Sequence, residues 1–355
     1  MKVVGRAGRI MLDYLKNYVS ESGYKVGGAT DKVLRTAFQD KAFLVWVNAY
    51  AEYVPGFEEK LRNMLMDLSS PRSDDFESIF QKGLFSILRE EKLETLESRL
   101  NHTLSIPFEK SVQLAHKYLP KRTRIKSDVY VTIDPFNSAM MRPGKVFLSI
   151  LQEDITAKPA EWLAHEFHHV GAYYWLNKNS KLKALKNSNE HDQLLSKVFS
   201  YFITEGLANW YVSPRATRII EGEEEHNKAI RKLEEERPRL LKELEQLLSL
   251  ICERHEPFEE IKMLFESLSI NTSGSGSPAG HFLSARMIGA IDNSDIVGKK
   301  EIIDLVKHPF DFFDLYNKTV DEGDRLNVTL LKQVKNKTDT ALAYTENGQN
   351  SAFTT

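Results

Sequence analysis

The chain has 355 residues, an apolar fraction of 41%, and 48 Lys plus Arg against 50 Asp plus Glu, a net charge of −2. This length suits one large or two modest domains with a sizeable core, and the near balance of charge excludes the clearly basic surface that nucleic acid rewards. A single cysteine, Cys252, excludes an internal disulfide framework, and no uncharged run reaches the roughly 18 residues of a membrane span.

Residues 1–124 are expected to form an N-terminal helical region. Arg6, Arg9 and Asp13 interrupt the opening segment, which lacks the apolar stretch and small-residue cleavage site of a signal peptide, so the expected location is the cytoplasm. "LVWVNAYAEYVPGFEEKLRNMLMDL" and "FQKGLFSILREEKLETLESRLNHTL" carry apolar residues at three- and four-residue spacing, with breaks at Pro55-Gly56 and Ser69–Asp75. Residues 125–215 change character. "DVYVTIDP" alternates and is rich in β-formers, "NSAMMRPG" reads as a turn, and "KVFLSIL" reads as a second strand. Pro159 and Glu161 then suit the first turn of a helix. A second helix, "LLSKVFSYFITEGLANWYV", is expected to stop before Pro214.

Residues 216–340 read as a C-terminal helical region and 341–355 as a frayed polar tail. The charged stretch from Glu221 to His255 should be a helix with a solvated face, interrupted near Pro238. "NTSGSGSPAGHF" is a Gly/Ser loop leading into the helix "HFLSARMIGAI"; its residues 273–278 have the composition of a hinged lid or a linker.

Within "AEWLAHEFHHV", His165, Glu166 and His169 fit the pattern H-E-x-x-H. On a helix the two histidines lie one turn and about 40° apart, so both rings can reach one ion at roughly 2.0–2.1 Å. Glu166 falls about 60° to one side, where a base for an attacking water belongs. Leu163, Phe167, Val170 and Tyr174 form an opposite apolar stripe that can anchor the helix. His168 could line the cleft but reads rather as a partly exposed or core-satisfied histidine, and His191 as a surface residue.

A hydrolytic zinc site needs three protein ligands and an open position. Glu205, in "TEGLANW", is the candidate third ligand, because an apolar helix tolerates a carboxylate only with a partner. Asn209 lies one turn later and is a candidate to orient a ligand histidine. The expected cofactor is one Zn2+ per chain.

His165-Glu166-x-x-His169 followed by Glu205-Gly206-x-Ala208 resembles the gluzincin branch of zinc metallopeptidases, and more narrowly the zinc-dependent peptidases with a helical body. The resemblance implies an α+β, predominantly helical fold with a zincin-like core, in which a small sheet lies beside the active-site helix. It implies that "KVFLSIL" is the edge strand that holds extended substrate, and that the partner is a peptide or protein. It also implies Glu166 as general base and an oxyanion donor from a later segment, with His281 the candidate and Tyr201 and Tyr211 the alternatives. Asn209 departs from the acid that many relatives carry, and Ala172 and Trp175 break the metzincin extension.

Two rivals stand beside this reading. A di-iron carboxylate protein would use Glu166–His169 and Glu223–His226 as its paired ligands, but the second pair sits in a very acidic run. A helical scaffold that holds zinc without turnover is the other.

Overall fold

Val129, Val131 and Ile133 are buried, as one face of a strand packed on a core should be. They belong to the first of two units into which the chain divides, residues 1–112 with 126–170; the second is 113–125 with 171–355. The computed structural model describes residues 1–20, 28–51, 54–66, 68, 76–88, 90–151, 158–270 and 277–351.

In the first unit a short strand β1 (Val3–Val4) precedes helices α1 (Arg6–Ser20), α2 (Gly28–Ala37), α3 (Lys41–Ala49), α4 (Phe57–Met66), α5 (Phe76–Phe85), α6 (Glu90–Leu104) and α7 (Glu109–Lys117). Strands β2 (Asp128–Thr132), β3 (Ala139–Arg142) and β4 (Lys145–Ser149) follow, and then helix α8 (Pro159–Leu176). Two of the three unit boundaries fall inside α7 and α8, and the third lies between Ile125 and Lys126, ahead of β2. The sheet order is β1-β2-β4-β3, parallel except for the β3–β4 hairpin. The α+β, predominantly helical class is therefore the one observed.

Two expectations about the sheet are overturned. "NSAMMRPG" contains a strand, because its turn residues are confined to its ends: Gly144 at φ +73° closes the hairpin while Met140 pairs with Phe147. "KVFLSIL" is not at the edge. Strand β4 lies between β2 and β3, and Val146, Phe147, Leu148 and Ser149 are all buried. A continuous run with both faces covered marks an interior strand.

Helix α1 lies on β2 because position 8 is glycine; a Cβ there would stand 2.9 Å from the Val131 carbonyl oxygen. Asp40 caps α3 by accepting from the N–H groups of Ala42 and Phe43, and Arg6 donates to the same carboxylate. Phe43, Trp46, Tyr50, Phe57 and Phe80 pack mainly edge-on or tilted around α3. Asp134 is buried beside them. Its carboxylate accepts from Trp46 Nε1 at 3.1 Å, Tyr50 Oη at 2.5 Å, and the N–H groups of Phe136 and Asn137 at 2.9 and 3.0 Å. These four donors join α3 to the turn after β2.

The second unit contains helices α9 (Ser180–Lys186), α10 (Glu190–Leu207), α11 (Glu224–Glu253), α12 (Phe258–Ser269), α13 (Ala279–Asp292), α14 (Lys299–Asp304), α15 (Phe312–Thr319) and α16 (Val328–Ser351). Gly171 at its start lets Leu119 and Thr123 approach α8; a Cβ would meet Leu119 at 2.3 Å. Helix α11 runs through Pro238 without interruption. Pro238 and Glu234 are both exposed, so the carbonyl that loses its N–H partner can turn to water. Helix α16 reaches Ser351, well into the segment expected to fray. Residues 273–276 of the suggested lid lie outside the described residues.

Asn189 caps α10 through the Asp192 N–H, and the buried Asp192 ties three helices together. It accepts from Arg254 at 2.8 Å, just past α11, and stands 3.4 Å from Lys337 of α16, which also donates to the Ile251 carbonyl. Burial pushes the Asp192 carboxyl up, but Ser188, Lys337 and Arg254 outweigh it and hold the group below its ordinary value of 3.8. The neighbouring His191 is half-buried, its ring 5.3 Å from Phe258, and not the simple surface residue expected.

Two outcomes are expected for stability. Asp134→Ala should cost about 2–4 kcal/mol in urea unfolding, because the Trp46 and Tyr50 donors lose their acceptor in the core. With its folded pKa depressed, Asp192 contributes stability that is present above pH 3.8 and lost as pH falls through the folded value. Asp192→Asn should therefore flatten the acid limb of the stability profile, read by thermal unfolding between about pH 2 and 5.

Candidate metal centre

Helix α8 carries an unusual burden for a buried helix. Ala164 and Phe167 are fully enclosed, and so is His168 at 0% exposure, while His165, Glu166 and His169 are only 8%, 6% and 6% exposed. Of the readings left open for His168, the core one is therefore the one observed. Pro159 at the start and Glu161 in the first turn favour the helix locally. One side chain after another then places a titratable group away from water.

His165, Glu166 and His169 offer ligand atoms that all lie within 4.8 Å of one another. The two imidazole rings stand 4.6 Å apart between centroids and nearly perpendicular, at 86°. Two imidazoles and a carboxylate are ordinary donors for zinc. Their burial also fits a cation, since a dehydrated carboxylate is costly without positive charge nearby. On both counts the residues suit a metal.

The remaining candidates lie in the second unit. Glu205 is on α10, and His281 on α13 faces it, with Nε2 3.4 Å from Glu205 Oε2. Asn209 donates its amide N–H to the same oxygen at 3.1 Å and to the Glu205 carbonyl at 3.0 Å. Its nitrogen is therefore committed to the carboxylate.

Glycines set the contact between α10 and α13. A Cβ at Gly206 would stand 2.8 Å from the Ser284 carbonyl oxygen, and one at Gly280 would stand 2.7 Å from the Tyr201 ring. Helix α10 then widens into a π-helical turn over Ala208–Val212, a departure that often accompanies functional sites. Asp292 at the end of α13 holds this turn. It accepts from Trp210 Nε1 at 2.9 Å and Tyr211 Oη at 2.6 Å, and Gly289 leaves room for the Trp210 ring. Nothing in the local sequence around Asp292 marks it, because its partners are about eighty positions away.

The alternative tyrosines are occupied. Tyr211 is bound to Asp292, and burial together with that carboxylate pushes its phenol up. The Tyr201 hydroxyl is directed at the Leu268 carbonyl, 3.4 Å away, while burial and the Glu205 charge raise its pKa well above the ordinary value. The rival second E-x-x-H pair is also engaged elsewhere. Glu223 pairs with Arg215 at 2.8 Å, and the His226 ring meets the Arg218 carbonyl at 3.1 Å.

Comparison with known proteins agrees with a zinc-dependent hydrolytic centre. The chain belongs to the family described as "Putative zinc dependent peptidase (DUF5700)", whose sequence model matches residues 56–324. That span includes His165, Glu166, His169, Glu205 and His281. No curated protein and no solved structure matches the chain.

The close helix contact yields an expected outcome. Gly206→Ala should destabilise the protein by about 1–3 kcal/mol, because the new methyl meets a backbone oxygen that cannot swing aside. Urea unfolding of the full chain measures it, and Gly222→Ala, with open space at Cβ but φ +81°, serves as a comparison limited to backbone strain.

Proposed function

We propose that the protein is a zinc-dependent metallopeptidase of the gluzincin type, with a zincin-like core. His165, His169 and Glu205 hold one zinc ion per chain, and Glu166 is the general base. The observation that carries this reading is the buried trio of His165, Glu166 and His169 with ligand atoms within 4.8 Å. Family membership supports the reaction class.

When bound, zinc polarises the scissile carbonyl and lowers the pKa of a coordinated water towards neutrality. The chain's own residues do the rest. Glu166 accepts the proton of the attacking water and passes it to the leaving amine. Asn209 orients the Glu205 carboxylate through its amide N–H. His281 donates to the oxygen that gains charge as the peptide carbonyl is attacked. Commitment of the Tyr201 and Tyr211 hydroxyls to Leu268 and Asp292 favours His281 for this role. The substrate is a peptide or protein.

Elemental analysis should give one zinc per chain, and a peptide library should be cleaved by the protein and spared after chelation. Glu166→Gln should retain zinc and lose about 10²–10⁴-fold in turnover. Undiminished turnover in that variant would remove Glu166 from the mechanism, and two irons per chain would replace the zinc reading altogether. Stoichiometric zinc with no cleavage would leave a zinc-binding scaffold.

A further inference from the structure

We propose that the cleft between the α9–α10 turn and α16 binds a small organic oxyanion, a carboxylate or a phosphate ester. The cleft lies wholly within the second unit, and the inference is independent of the metal site proposed above.

The cleft has a volume of about 460 Å³. Small-molecule sites span about 300–1,000 Å³, so there is room for an organic body beside a single charged group. Ser188, Asn189 and Asp192 line it from the turn and the start of α10, and Arg254 lines it from just past α11. Lys337, Thr340 and Tyr344 line it from α16. Their spacing of three and four places them on one face of that helix.

The charges select an anion. Both oxygens of the buried Asp192 are already used. Its Oδ2 accepts from Ser188 Oγ at 2.6 Å and Asn189 Nδ2 at 2.7 Å. Its Oδ1 accepts from Arg254 Nη2 at 2.8 Å and stands 3.4 Å from Lys337 Nζ. Two donors on each oxygen fill the carboxylate's lone pairs, so a cation entering the cleft would have to displace one of them.

The cations are not used up in the same way. Among the described residues, the Arg254 guanidinium has Asp192 as its acceptor, through Nη2 alone, and a guanidinium carries five N–H donors in a fork that suits carboxylate and phosphate. Two cations thus face one carboxylate. Lys337 feels the excess: burial, with Arg254 adding to it, holds the amine below its ordinary value of 10.5 although Asp192 acts against both. A second anion in the cleft relieves that mismatch. Arg254 also sits at φ +59° at the end of α11, a left-handed position that favours glycine, so an arginine there carries a conformational cost.

Calorimetric titration of the full chain tests the inference, with inorganic phosphate and glutarate as separate probes at fixed ionic strength, because salt screens such contacts. At least one probe should bind saturably, and which of them binds distinguishes the two oxyanions. Arg254→Gln should weaken that binding about 10–100-fold. Because this variant also removes a partner of Asp192, Thr340→Glu and Thr340→Lys are measured beside it, with circular dichroism to check folding. Thr340 is exposed and its hydroxyl serves only its own helix, on the Asn336 carbonyl. The glutamate should weaken binding and the lysine should tighten it. Absence of saturable binding by both probes would overturn the inference, and so would binding that ignores the charge at position 340. Binding lost in His169→Ala but kept in Thr340→Glu would place the anion at the metal site and overturn it as well.

Discussion

Removal of charged and polar groups from water on one and a half turns of α8 is the constraint that organises this protein. His165, Glu166, His168 and His169 are all buried. A helix can carry such groups inside only if something compensates their lost hydration. A divalent cation could supply part of it, because one ion could engage both imidazoles beside the carboxylate.

A second polar group is placed with similar care. Glu205 stands among the buried Phe202, Ile203, Gly206 and Leu207 of α10, and Asn209 and His281 both address one of its oxygens. That grouping depends on how closely α13 can lie on α10. Glycine at 206 and 280 removes the side chains that would otherwise hold the helices apart. The π-helical turn beyond Glu205 is then held by the double acceptance of Asp292. Stability and site geometry share these residues, so small changes in helix packing should be felt at the carboxylate.

The buried Asp134 shows the same principle in the other unit. Its four donors join an aromatic helix to the turn after β2, and among the described residues the sheet has β1 and β3, not β4, as its outer strands. Strand β3, "AMMR", is short and carries Arg142. The Arg142 guanidinium is itself directed at the Ala49 carbonyl.

Local patterns in the sequence determined a good deal. Three- and four-residue apolar spacing specified most helices, alternation specified β2, and the spacing of His165 and His169 specified two rings on one helical turn. Those features depend on residues close along the chain, where period and propensity act directly. Features set by distant partners were decided only by the tertiary structure. The strand within "NSAMMRPG" exists because β4 pairs with it, and β4 is interior because β2 claims its other side. Helix α11 passes Pro238 because that face meets water. The approach of His281 to Glu205 and the anchoring of Trp210 and Tyr211 on Asp292 join residues about eighty positions apart, and no local propensity encodes a contact of that kind.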